Sequence, residues 1–454
     1  MSNQTILVIT AIHMLIWIVF YRLLKGKMDP FDPYYISTGL YFMIFVYAPW
    51  IWIERGQTSY QGVQVMEYLP ISTVVFNIAY AVFSLFSLFR IKTKNKRINI
   101  NYITDESDKF QIFLDDNTTT SYICRYGLIV FLVSFFFSML YYRITGRSLL
   151  FMITLGQGSE RSAGRVGEGL YFLAQFIRSA IPGILLLFAF ARKYRIFVYI
   201  SAYLLCAVCI SSGSRNLAIC VILSLIVYHY LQKGKRPSII MIVAGIVAMY
   251  LFVGFVGLFR GAMRSGGEID FTTMNKDSLF NAFMFNVEIF YPFYTLVGYL
   301  NSGIISYHYG LGIINLPIQF IPHVIWPSKP ATLGLTAFEA MYGNSMGGAA
   351  YPNIGEFYYE FGLIGIIVGM AIFGSAVQKC FSFAKQTRNK ISMVEYCIIF
   401  GYLMQFICRG HFASWALDVV FMFGPIWFLK RRLRIKYKKW LASNEDNLYY
   451  EQRF

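Results

Sequence analysis

Residues 122–142 read YICRYGLIVFLVSFFFSMLYY, twenty-one residues with a single charge, Arg125, close to one end. A helix of that length rises about 30 Å, the thickness of a bilayer's hydrocarbon core. Tyrosines stand at both ends of the run, where amphipathic rings favour the lipid–water boundary. The same pattern recurs along the chain, giving spans at 4–24, 34–54, 69–90, 122–142, 169–191, 196–213, 216–232, 238–259, 355–376, 393–409 and 412–429. The sequence therefore predicts an all-α polytopic membrane protein with about eleven transmembrane helices (eleven or twelve) in one transmembrane domain over residues 1–454. Composition agrees. Of the 454 residues, 57% are hydrophobic and 14% charged, whereas soluble domains carry about a quarter charged residues. A soluble fold of this length needs more polar surface. The first run begins at Thr5 with no basic n-region and no A-x-A site, so it reads as an uncleaved first helix.

The net charge of +17 would suggest nucleic acid in a soluble chain. Here it reads as the Lys/Arg excess of cytoplasmic loops, and no nucleic-acid partner is expected. With the N-terminus outside and eleven crossings, the inner segments hold 28 Lys and Arg, the outer ones 11, and Arg178 lies within a span. That sets a periplasmic N-terminus and a cytoplasmic C-terminus. A full crossing by 282–300, which contains Asn286, Glu288 and Pro292, would invert half of the basic loops. It is read as a peripheral or partly embedded helix within one long outer loop, 260–354, that carries short helices; loops of that length tend to be functional. The other segments are a cytoplasmic linker at 91–121, a periplasmic Arg/Gly loop at 143–168 and a basic cytoplasmic tail at 430–454. Gly365 and Gly369 form a GxxxG step, read as close helix packing. The seven cysteines have neither metal-ligand nor disulfide-framework spacing.

Candidate chemistry gathers on the outer side. Arg161 and Arg165 lie in the Arg/Gly loop, where five glycines fall between Gly156 and Gly169. Guanidinium groups on flexible backbone suit a phosphate or sugar ligand; the alternative is a solvated loop pairing with Glu160 and Glu168. Arg215, in SSGSRNLAI, opens a helix at a tight hairpin, where backbone N–H groups favour anions. Arg260 and Arg264 stand four apart, so they share a face if the eighth helix continues, and their mutual repulsion is relieved by an anion between them. Four prolines in the stretch around IPHVIWPSKP exclude a long regular helix and set His323, Trp326 and Lys329 on a rigid segment. His323 reads as a proton carrier or hydrogen-bond donor. In GGAAYPNIGEFYYEFGLIG, Glu356 and Glu360 begin a helix, where either serves its dipole or Glu356 serves as general base for a sugar hydroxyl. Arg409 and His411 cap the last outer turn. Arg178 and Asp418 are intramembrane charges that should face the bundle interior or a polar cavity, where they can pair.

These stretches, in this order on an eleven- or twelve-span frame, resemble the Wzy-type O-antigen and capsular repeat-unit polymerases: the Arg/Gly loop 156–169, GSR at 213–215, FRG at 259–261, IPHVIWPSKP at 321–330 and NIGEFYYEFGLIG at 353–365. The resemblance implies a GT-C-like bundle, related to O-antigen ligases, in the bacterial inner membrane. It implies a glycosyltransferase that moves the growing glycan from undecaprenyl pyrophosphate to the non-reducing end of a new lipid-linked repeat unit. Its partners would be undecaprenyl-pyrophosphate-linked oligosaccharide, membrane lipids and a chain-length regulator protein. The pyrophosphate would fall to Arg165, Arg215 and Arg260, with Arg161, Arg264, Lys329 and Arg409 beside them. Glu356, His323 and His411 are the candidate catalytic groups, although His323 stands where an arginine is expected. No DxD-type motif lies in the outer segments, so neither metal nor other cofactor is expected. An O-antigen ligase and a lipid-linked oligosaccharide flippase remain the alternatives.

Overall fold

The structure, a computed structural model, describes residues 2–26, 28–60, 63–64, 66–88, 109–145, 170, 172–212, 214–248, 251, 254, 291–301, 307–321, 325–326, 328, 350–387 and 389–451. These residues include the helices α1 (Asn3–Lys25), α2 (Pro33–Glu54), α3 (Leu69–Leu88), α4 (Asn117–Ile144), α5 (Phe172–Phe190), α6 (Arg195–Ser211), α7 (Arg215–Lys233), α8 (Ile239–Ala248), α9 (Tyr291–Asn301), α10 (Leu311–Ile314), α11 (Asn353–Thr387), α12 (Lys390–Cys408) and α13 (Phe412–Glu451). A two-residue antiparallel pairing, Ser59–Tyr60 with Val63–Gln64, joins α2 to α3.

Among the described residues, eight helices are long and apolar enough to cross a membrane: α1 to α5, α7, α11 and α12. The chain is thus an all-α multi-pass membrane protein, as its hydropathy predicts. Three of the eleven expected spans are not among these eight: 196–213, where α6 has 17 residues; 238–259, of which 239–248 form α8; and 412–429, which lies within α13. Helix starts follow local chemistry. Asp32, Asp116 and Asn389 each accept a backbone N–H from their own first turn, which satisfies donors that the helix leaves orphaned. Gly26 and Gly234, at φ 83° and 61°, end α1 and α7, a backbone region where L side chains are strained.

Packing runs through small residues. A Cβ on Gly183 of α5 would lie 2.9 Å from the Gly127 carbonyl oxygen of α4. One on Gly374 of α11 would lie 2.7 Å from Phe83 O of α3, and one on Gly401 of α12 2.7 Å from Cys220 O of α7. Each pair therefore meets backbone to backbone, which suits a solvent that supplies no hydrophobic drive between helices. Lipid-facing positions stay apolar: Ile12, Leu15 and Ile16 on α1, and Ile129, Leu132 and Phe136 on α4, are exposed.

Three regions gain detail. The GxxxG step is met closely by the helical segment that precedes it. Within α11, Phe361 (φ −144°) and Gly362 (φ 61°) leave the helical region, and the first segment folds so that Phe357 lies against Gly365 and Gly369. Of the run 282–300, residues 291–300 are described and belong to α9, whose Phe293, Leu296 and Val297 are fully buried and which packs on α3. Over the basic tail α13 continues as helix to Glu451. Its Tyr437 and Trp440 pack on Phe110 and Phe113, which belong to a helical stretch at 109–115.

The intramembrane charges do pair. Arg178 of α5 donates to Asp418 of α13 and to Gln175, and Tyr402 of α12 donates to the other oxygen of Asp418. Asp418 is 1% exposed. Removing one partner of such a pair leaves an uncompensated charge, at a cost of about 3–5 kcal/mol in buried cases. Asp418→Ala is therefore expected to lower the melting temperature of detergent-solubilised protein sharply, and the double variant Arg178→Met with Asp418→Leu to recover most of the loss. Equal melting of the single variant and the wild type would show that the pair contributes nothing.

Candidate functional site

Three helix ends meet at one end of the bundle, opposite the end where Lys385 pairs with Asp29 at 2.8 Å and Lys390 with Asp115. The first is the start of α11. The second is the turn between α12 and α13, residues 409–411. The third is the start of α7.

Glu356 ties the first two together. Its Oε1 accepts the Phe412 backbone N–H at 3.0 Å, and its Oε2 accepts the Tyr351 hydroxyl at 2.5 Å. Phe412 opens α13, so the carboxylate satisfies a helix-start donor that has no intrahelical partner. Tyr351 is fully buried, and its oxygen also lies 2.6 Å from His411 Nδ1, with the rings 4.2 Å apart. The Gly410 N–H donates to Tyr351 O at 2.8 Å. Asn353, fully buried, exchanges hydrogen bonds with Tyr41 of α2 at 2.9 and 3.1 Å. Tyr41 stands one residue before the end of the regular first part of α2, which then runs as a π-helix over Met43–Tyr47. Such π-segments are frequent at functional sites.

The third element joins through side chains next to the candidates. Asn216 Nδ2 donates to Gln405 Oε1 at 2.6 Å, which sets the position of Arg215, the first residue of α7, beside the end of α12. Arg409 follows within a turn of Gln405, and its carbonyl accepts Trp415 Nε1–H at 3.1 Å. His411 keeps a partly exposed edge although its ring sits deep among protein atoms. Burial first, and the Arg409 charge second, lower its pKa to about 3, so the imidazole is neutral at physiological pH.

Beside this cluster a cleft of about 890 Å³ runs along α11, α12 and α13, from Glu360 and Phe412 at one end to Ser392 and Glu395 at the other. Its walls are almost wholly apolar, and it opens sideways between the exposed Ile364, Val368, Ile372 and Trp427. Glu360 lies at its head, 1% exposed. The carboxylate faces the backbone of the Gly310–Gly312 turn without reaching hydrogen-bond geometry, and neither oxygen has a partner among the described residues.

Of the sequence candidates, Glu356, Arg409 and His411 come together, with Arg215 near them in the backbone. Arg161, Arg165, Arg260, Arg264, His323 and Lys329 lie outside the described residues, as do most of the loops 143–168 and 260–354. Trp326 is 38% exposed, and its Nε1 donates to Ser328 Oγ at 3.2 Å. Sequence reasoning missed Tyr351, Asn353 and Tyr41, because nothing local marks a tyrosine whose partners sit 60 and 312 positions away. Among the described residues no group of three His, Cys, Asp or Glu side chains is arranged to hold a metal ion.

Fold and site together define a multi-pass membrane protein with a hydrogen-bonded carboxyl–tyrosine–imidazole cluster and, lined by the neighbouring Glu360 and Phe412, an apolar cleft beside it. The chain belongs to the O-antigen polysaccharide polymerase Wzy family, whose model matches residues 1–438, essentially the whole length. The family resemblance read from the outer-loop motifs is borne out. Neither curated proteins nor solved structures give a match.

The junction of α11 with the 409–411 turn has no spare room. A Cβ on Gly410 would lie 2.5 Å from Asn353 Cα and 2.6 Å from Asn353 N. Backbone cannot yield as a flexible side chain does, and overpacking costs about 1–3 kcal/mol. Gly410→Ala is expected to lower the melting temperature and activity together. Gly424→Ala, where nothing lies within 4 Å, is the control expected to do neither.

Proposed function

We propose that this chain polymerises lipid-linked oligosaccharide repeat units at the outer face of the bacterial inner membrane. The growing glycan leaves undecaprenyl pyrophosphate and joins the non-reducing end of a new lipid-linked unit. Beyond family membership, one observation supports the reading most: the Glu356–Tyr351–His411 cluster lies beside an apolar cleft whose lining includes the neighbouring Phe412 and Glu360. A substrate that is sugar and pyrophosphate at one end and polyprenyl along its length needs that juxtaposition. The cleft takes the chain, and the polar end meets the cluster.

The chemistry asks little beyond this. The leaving group is already a pyrophosphate ester, so no nucleotide sugar is consumed. Negative charge grows on it as the anomeric bond breaks, and fixed cations stabilise that charge. Arg165, Arg215 and Arg260 are assigned to it, with Arg161, Arg264, Lys329 and Arg409 contributing to the same field. Glu356, His411 and His323 are the groups assigned to the acceptor hydroxyl. A chain-length regulator is the expected protein partner. No DxD-type motif lies in the outer segments, so metal-independent transfer is part of this reading.

The test is an in-vitro reaction of purified protein with its lipid-linked repeat unit, resolved as a ladder on a gel. A ladder without nucleotide sugar is expected, unchanged after EDTA washing and collapsed in folded Arg165→Ala, Arg215→Ala and Arg260→Ala. Growth restored only by Mg²⁺ or Mn²⁺ would overturn metal independence. No ladder from folded enzyme and authentic substrate would overturn the polymerase reading, and transfer to added lipid A–core would then identify a ligase.

A further inference from the structure

Most polar side chains in the wall of the apolar cleft are already engaged. Tyr396 donates to the Phe31 carbonyl and Tyr402 to Asp418. Glu395 accepts from Lys430 Nζ at 2.9 and 3.0 Å, and Trp415 Nε1 donates to the Arg409 carbonyl. Glu360 is different. It lines the head of the cleft and is 1% exposed, and neither carboxyl oxygen has a hydrogen-bond partner among the described residues. Glu356, one turn earlier, is engaged at both oxygens and lies outside the cleft wall. A buried polar group without a partner costs stability, and such violations concentrate at functional sites.

Glycine makes the berth in which this carboxyl rests. A Cβ on Gly312 of α10 would lie 1.8 Å from Glu360 Oε1 and 3.0 Å from its Cδ, and the third-nearest atom, Oε2, is 3.6 Å away. The carboxyl thus fills the side-chain space of position 312. Backbone fixes the turn over it: the His308 and Tyr309 N–H groups donate to the Tyr359 and Glu360 carbonyls at 3.1 and 2.8 Å. The cleft head beside it is lined by Ile313, Phe357, Phe361 and Phe412. Glutamate reaches from such a berth into the cleft by rotation about its own side-chain bonds. Aromatic walls with one hydrogen-bonding carboxyl suit a pyranose, which has apolar C–H faces and a rim of hydroxyls. Two oxygens on one carbon match two neighbouring hydroxyls in either protonation state. A carboxylate accepts from both, whereas the acid accepts at one oxygen and donates from the other. Resting on the glycosyl transfer proposed above, we propose that Glu360 is the anchor for a sugar of the lipid-linked substrate, its carboxyl turning from the Gly312 berth into the cleft head to bond neighbouring hydroxyls. The apolar chain lies along the cleft below. Glu360 is a binding residue in this scheme, and the cost of leaving its oxygens unpartnered is recovered when the sugar arrives.

The experiment is binding without turnover. Full-length protein is titrated, by native mass spectrometry, with its lipid-linked repeat unit, with sugar-free undecaprenyl pyrophosphate and with phosphatidylethanolamine. The wild type is expected to prefer the sugar-bearing lipid by about 10- to 100-fold, the worth of hydrogen bonds to a group of this kind. Glu360→Leu should abolish that preference and leave the affinity for undecaprenyl pyrophosphate unchanged. Its melting temperature should equal or exceed that of the wild type, because an apolar side chain replaces an unpartnered carboxyl. Glu360→Gln, whose amide both accepts and donates, should keep most of the preference. Gly312→Ala fills the berth and turns the carboxyl into the cleft, so the preference should persist there and vanish in the double variant with Glu360→Leu. A sugar preference intact in Glu360→Leu would overturn the proposal. So would equal weakening of both polyprenyl lipids, a drop in melting temperature that marks a structural role, or Glu360-dependent binding of phosphatidylethanolamine, which would assign the carboxyl to an ammonium head. Absence of a ladder in the polymerisation assay, with the Glu360-dependent preference present, would count against the polymerase reading alone.

Discussion

Backbone in a hydrocarbon solvent must satisfy its own hydrogen bonds, and the architecture of this chain follows from where it breaks that rule and how it compensates. Most helices run uninterrupted. The exceptions are specific. In α11 the turn at Phe361–Gly362 frees the carbonyls of Tyr359 and Glu360 from their helical partners. The backbone N–H groups of His308 and Tyr309 donate to them at 3.1 and 2.8 Å. In α13 Pro425 has no N–H, which orphans the Phe421 carbonyl, and Ser179 Oγ donates to that oxygen at 2.6 Å. The N–H that opens α13 is met by Glu356. Each break is closed by a residue distant in sequence, so the breaks act as staples between elements.

Two of these staples meet at the candidate site, and this accounts for its rigidity. The fold in α11 sets Phe357 against Gly365 and Gly369 and thereby aims Glu356 toward the 409–411 turn. Gly410 lets that turn approach Asn353 closely enough for its N–H to reach the Tyr351 carbonyl. The carboxyl group of Glu356 and the backbone of Tyr351 are thus fixed by the Phe412 and Gly410 N–H groups, and the phenol and imidazole follow.

Span positions were legible in the sequence because hydropathy is a local property and lipid imposes it on each helix separately. The Arg178–Asp418 pair was legible for a related reason. A lone charge in a span is so costly that two of them nearly name each other, even 240 positions apart. The hairpin at Arg215 followed from its small residues, and the α6–α7 turn falls there. Other features escaped for physical reasons. Gly365 and Gly369 advertise close approach but not by what, and the visitor is Phe357 of the same helix. Tyr351 looks like any interfacial tyrosine until Glu356 and His411 are brought to it. The helical continuation of the tail depends on Phe110 and Phe113 packing on Tyr437 and Trp440, a contact that charge counting cannot register.

Tyr351 stands between the carboxyl group of Glu356 and the imidazole of His411. The two titratable groups are therefore coupled through one hydroxyl rather than in contact, while Arg409, two residues from His411, opposes a positive charge on the ring. A change of charge at one end of the array is felt at the other through the orientation of a single O–H bond. The backbone contacts that hold Tyr351, the Gly410 N–H among them, thus also hold the electrostatics of the site.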